Sequence, residues 1–140
     1  LFNAVGRPLF GWITDRFTPS FAAVISFSLI LTAAGIMVVA NSSPVLYIIA
    51  FSLFWLNLGG WLAIAPTATA SLFGSQNYSR IYGMIFTAYG VGAILGGVIS
   101  GQIKSIFGSY YYVFYPVLIL AAAGIAITLL LLKNCCNNTK

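Results

Sequence analysis

The sequence predicts an all-α fold, a polytopic bundle of transmembrane helices, and three observations carry that prediction. Of the 140 residues, 61% are hydrophobic and only 5% are charged, against roughly 25% charged in an average soluble domain. The charges leave long stretches empty: no Asp, Glu, Lys or Arg occurs from Phe17 to Ser79, from Ile81 to Ile103, or from Ser105 to Leu132. Runs of that length match the about 20 helical residues needed to cross ~30 Å of hydrocarbon. Helices satisfy their own backbone in lipid, and the apolar–polar alternation of a membrane barrel strand is missing from these runs.

Five apolar segments follow in order along residues 1–140. The first, residues 1–13, is too short to cross and begins without Met, so it is expected to be the second half of a span. Arg7 within it argues against a cleaved signal peptide. The second covers 21–40, about 30 Å as a helix. The third covers 45–73 and contains Pro66, which predicts a kink, a tilt or an exit from the bilayer past that residue, with Thr67 and Thr69 bonding the freed carbonyls. The fourth covers 81–103. The fifth covers 111–132 and opens on Tyr110, Tyr111, Tyr112 and Tyr115, where an aromatic belt belongs. A tail follows at 133–140.

The separators at 14–20, 41–44, 74–80 and 104–110 are rich in Gly, Pro, Ser, Asn or charge, and are short enough to make neighbours antiparallel. With alternating helices, Arg16, Arg80, Lys133 and Lys140 fall on one side, Arg7 close to it, and Lys104 on the other. The bias places the C-terminus in the cytoplasm of a multi-pass protein, expected in the cell membrane. Cys135-Cys136 would then lie in a reducing compartment, where palmitoylation is the modification to consider rather than a disulfide. Asn41-Ser42-Ser43 matches a glycosylation acceptor, in a loop too short to favour it.

Composition also excludes function classes. One carboxylate, Asp15, and no His cannot supply a metal hydrolase, a nucleophile–base pair or a two-carboxylate site. Neither an enzyme nor a metal or cofactor is expected. The net charge of +5 is scattered at the ends of apolar runs, not clustered as a nucleic-acid surface would require.

The most specific local feature is Gly6-Arg7-Pro8-Leu9-Phe10-Gly11-Trp12-Ile13-Thr14-Asp15-Arg16. Gly6 and Gly11 permit close approach of another helix. Asp15 can accept from N–H groups at the start of a neighbouring helix or pair with an Arg, a contact able to gate a conformational change together with Arg7 and Arg16. The plainer alternative is that Asp15 caps a helix and the arginines set topology.

This pattern, Gly-Arg-x-x-x-Gly-x-x-x-Asp-Arg, resembles the loop motif of major facilitator superfamily transporters, in the copy between helices 8 and 9. Gly59-Gly60, Pro66 and Leu72-Phe73-Gly74 resemble helix 10 and its exit. Tyr82-Gly83-Met84-Ile85-Phe86-Thr87-Ala88-Tyr89-Gly90-Val91-Gly92 resembles helix 11 of the oxalate/formate antiporter and monocarboxylate transporter branch. The resemblance implies the C-terminal half of a twelve-helix fold, from the end of helix 8 through helix 12, with the N-terminal half missing. Two departures matter. Phe17-Thr18-Pro19 stands where the family loop continues with basic residues, and no cation lies between Arg80 and Lys104, where oxalate-type members are expected to hold one. Tyr89 falls near that position, so a monocarboxylate or neutral solute fits better than a dianion.

Asn57 is an amide within an apolar span, and Trp61 shares its helix face. Asn57, Trp61 and Tyr89 are therefore expected to line a substrate path, unless Asn57 bridges two helices and the aromatics only pack. Gly83, Gly90 and Gly97, one heptad apart, predict close or sliding helix packing. The expected function is secondary active transport of a small organic anion by proton symport or anion exchange; the five segments alone are expected to be inactive. The alternative is a membrane scaffold or assembly subunit without flux.

Overall fold

The computed structural model describes residues 1–39, 43–74 and 76–137, with side chains described as far as Leu130. The acceptor at Asn41 and the side chains of Cys135, Cys136 and the rest of the tail lie outside that description. The elements are α1 (Phe2–Arg16), α2 (Pro19–Val39), α3 (Pro44–Phe73), α4 (Tyr78–Phe107), a 3-10 turn at Tyr110–Val113, and α5 (Phe114–Asn137). Among the described residues, four segments are long and apolar enough to cross a membrane: Pro19–Val39, Pro44–Phe73, Tyr78–Phe107 and Tyr110–Leu130.

The helices overrun several of the expected boundaries. α1 continues through Thr14, Asp15 and Arg16: Thr14 Oγ1 donates to the Phe10 carbonyl at 2.6 Å, and the Phe17 N–H closes the last turn on Ile13 at 3.0 Å. Thr18 Oγ1 then accepts from the Phe21 N–H at 3.2 Å, so two residues suffice to start α2. α4 runs through Arg80 and Lys104, because a long charged side chain near a helix end reaches water while the backbone stays helical. It stops at Gly108, whose φ of 72° is left-handed and whose N–H bonds the Lys104 carbonyl at 2.8 Å.

Pro66 does not end α3. The helix runs on to Phe73, and Thr67 and Thr69 donate to the carbonyls of Ala63 and Ala65 at 2.9 and 2.7 Å. Both acceptors lie past Leu62, whose carbonyl is the one the proline deprives of its helical donor, so the two hydroxyls bond neighbouring carbonyls and not the freed one that the sequence led us to expect. At 30 residues each, α3 and α4 are about 45 Å long, more than the hydrocarbon core is thick.

α3 is the hub, packed by α1, α2 and α4, while α2 lies between α3 and α5. Small residues make these contacts. A Cβ at Gly6 would fall on the Leu56 carbonyl and one at Gly59 on the Asn3 carbonyl, so the α1 and α3 backbones touch. Gly60 leaves room for the Phe10 ring, which is fully buried with Ala22 and Ile64. Gly124 of α5 accepts the Phe27 ring, and α2 turns Ala22, Ala23, Ser26, Ala33 and Ala34 inward. Close backbone approach of this kind drives helix association where lipid removes the hydrophobic incentive. α4 is the exception: none of its residues is buried.

Candidate functional site

Two of the three expected path residues come together. Leu58, Trp61, Leu62 and Ala65 of α3 face Tyr82, Ile85, Phe86 and Tyr89 of α4 across a small cavity of about 120 Å³. Both sets recur at the same i, i+3, i+4, i+7 spacing, one face of a helix turned toward one face of its neighbour. Trp61 is oriented from behind by Phe27, edge to face at 5.3 Å between centroids. On α4 the rings of Tyr78, Tyr82, Phe86 and Tyr89 follow one another at 5.4, 5.6 and 5.8 Å. Among the described residues no charged side chain lines this cavity, and its surface is almost wholly apolar, an aromatic and aliphatic wall suited to the organic part of a small solute.

Asn57 is placed elsewhere. It is 2% exposed, and its amide is engaged by α2: Ser26 Oγ donates to Asn57 Oδ1, and Asn57 Nδ2 donates to the Ser26 carbonyl at 2.7 Å. The amide thus bridges two helices and is not part of the cavity lining. Trp61 is one turn further along α3, close enough for the bridge to fix the register of the helix that presents it.

The motif residues separate by role. Gly6 packs on α3, whereas Gly11 has nothing within 4 Å of a would-be Cβ. Arg7, Asp15 and Arg16 are exposed, the last two at the end of α1. Gly83, Gly90 and Gly97 also face open space, so the glycine face of α4 has no neighbour among the described residues. Close glycine packing among the described residues lies at Gly6, where the sequence led us to expect it, and at Gly59, Gly60 and Gly124. Ser26, Phe10 and Phe27 had no sequence signal of their own, although an amide in a hydrocarbon span implies a partner such as Ser26.

The sequence profile of the Major Facilitator Superfamily matches residues 1–134. The chain belongs to the major facilitator superfamily. Among curated relatives, this superfamily chain is 26% identical over 92 residues to the uncharacterized MFS-type transporter YhjX of Escherichia coli (strain K12), covering 66% of the chain and 23% of that protein. It is 32% identical over 71 residues to monocarboxylate transporter 14 of Mus musculus, covering 51% of the chain and 14% of that protein. The chain thus spans less than a quarter of the length of either relative. No solved structure matches it.

Proposed function

We propose that this superfamily chain forms part of a twelve-helix secondary active transporter that carries a small organic anion, such as a monocarboxylate, by alternating access with proton symport or anion exchange. The observation that carries the reading is the aromatic cleft between α3 and α4, with Trp61 on one side and Tyr89 on the other. The similarity to a mouse protein named as a monocarboxylate transporter supports the substrate class. Trp61 acts as the apolar wall, and the Tyr89 hydroxyl as a hydrogen-bond partner for a carboxylate or hydroxyl oxygen. The charge that balances the anion comes from outside this cleft. α4 touches α3 sparingly, so it can shift against a fixed α1–α2–α3 core as the site opens to either side. The C-terminus is cytoplasmic in this reading and the protein sits in the cell membrane.

The test is uptake of radiolabelled lactate and pyruvate into proteoliposomes holding the complete protein. Saturable uptake that falls at least tenfold in Trp61→Ala supports the proposal; absence of uptake for a panel of monocarboxylates rejects it. The open face of α4 favours a second reading, a membrane scaffold whose glycine helix packs on a partner, and only that reading predicts no flux of any solute.

A further inference from the structure

α3 and α4 meet near Trp61 and Tyr89 and diverge toward the opposite end. There the start of α3, the end of α4 and the Tyr110–Val113 turn line an open cleft of about 880 Å³, sharing no residue with the first. Its lining changes character with depth. Tyr47, Ile48 and Phe51 of α3 form one wall, with Tyr47 stacked on Phe51 at 4.7 Å. Phe51 lies seven residues into α3, so this wall runs about 10 Å along the helix from its start. Nearer the end of α4 stand Lys104 and Ser109, with Ser100 one turn further in.

Lys104 is the cation on this side of the molecule, and its Nζ lies over the Tyr110 ring, 4.5 Å from the centroid. The chain's one acidic side chain, Asp15, ends α1 at the opposite end of the bundle. The exposed ammonium therefore rests over a ring face, with no acidic side chain of this chain beside it to neutralise it. An unneutralised cation near the end of α4, serine hydroxyls in the same cleft and an apolar wall running along α3 match a molecule with a negative head and an aliphatic tail.

We infer that this cavity binds an anionic amphiphile, its head group on Lys104 and its tail along Tyr47, Ile48 and Phe51. A fatty-acid carboxylate and the phosphate of an acidic phospholipid present the same chemistry. The cavity is far larger than the Trp61–Tyr89 cleft, and binding there does not depend on the chain transporting anything.

The experiment uses the complete protein in phosphatidylcholine nanodiscs, with no gradient. One arm measures saturable binding of radiolabelled oleate; the other measures retention of phosphatidylglycerol by native mass spectrometry. Binding in either arm is expected to weaken at least tenfold in Lys104→Gln and to stay within threefold in Lys104→Arg. Ile48→Trp, which fills the tail groove without touching the charge, is expected to abolish it as well. Dependence on Lys104 in the oleate arm alone identifies a free carboxylate as the ligand; dependence in the phosphatidylglycerol arm alone identifies lipid. Equal binding to wild type and Lys104→Gln in both arms, or binding of oleyl alcohol as tight as oleate, would overturn the inference. Because no flux is read, a failure of the transport reading leaves this result unaffected.

Discussion

Asn57 of α3 and Ser26 of α2 bond each other twice, hydroxyl to amide oxygen and amide nitrogen to backbone carbonyl. The pair is buried where water cannot replace a lost partner, so it fixes how the two spans register. Interhelical side-chain bonds in membranes are worth roughly 0.6 to 2 kcal/mol. Ser26→Ala leaves Asn57 Oδ1 unsatisfied, and Asn57→Ala removes both bonds. We expect each to lower the melting temperature of the detergent-solubilised protein, and the double variant to be less destabilised than the sum by ~1 kcal/mol. Simple additivity would mean that the two residues act separately.

Gly6 and Gly11 lie on the same helix and give a matched pair of substitutions. A methyl at Gly6 would collide with the Leu56 carbonyl, a backbone atom that cannot rotate away, whereas a methyl at Gly11 meets nothing within 4 Å. Gly6→Ala is expected to cost ~1–3 kcal/mol through forced separation of α1 and α3. Gly11→Ala should be neutral or slightly stabilising, since alanine is the better helix former by about 1 kcal/mol. Equal melting temperatures for the two variants would refute the close backbone contact.

How far the sequence revealed these features depended on whether a residue's neighbours lay within its own segment. Apolar run length predicted the spans, because the bilayer imposes one dimension on every helix. Boundaries were less legible: Lys104 and Arg80 marked segment ends by charge, yet both sit inside α4. Trp61 and Tyr89 were found by position along their helices, and the shared cavity followed from antiparallel pairing of α3 and α4. Which glycines pack was not legible, since Gly83, Gly90 and Gly97 have the same spacing signal whether or not another helix covers them. The Lys104 cavity was also hidden, because it joins residues from both ends of two separate loops.

Tyr111 does more than mark the interface. Its hydroxyl donates to the carbonyl of Val38, in the last described turn of α2. This ties the start of α5 to the last turn of α2. Tyr111→Phe keeps the ring and removes the bond, and should destabilise by ~1 kcal/mol. Tyr115→Phe serves as the control; an equal effect there would assign the loss to the belt and not to the carbonyl.

The helix order places Ser79 and Ser109 at opposite ends of α4, and the cation bias assigns Ser79 to the cytoplasm. In a background with Cys135 and Cys136 replaced by Ser, an impermeant maleimide should label Ser109→Cys on intact cells and Ser79→Cys only after permeabilisation. The reverse pattern would invert the topology while leaving the fold unchanged.

Trp61 and Tyr89 face each other across the α3–α4 cleft, but their supports differ. Trp61 is braced by Phe27 from α2, whereas Tyr89 is 52% exposed on the lightly packed α4. A substrate in the cleft would contact a fixed wall on one side and a movable hydroxyl on the other. Tyr89→Phe removes only the hydroxyl, so it should raise the KM for a monocarboxylate by roughly fivefold to tenfold, the worth of one hydrogen bond, with expression unchanged. Trp61→Ala removes the wall and should lower kcat as well, because the solute loses its orientation. Trp61→Phe, which keeps an aromatic ring against Phe27, should restore most of that loss. Unaltered kinetics in Tyr89→Phe together with normal flux in Trp61→Ala would place the substrate outside this cleft.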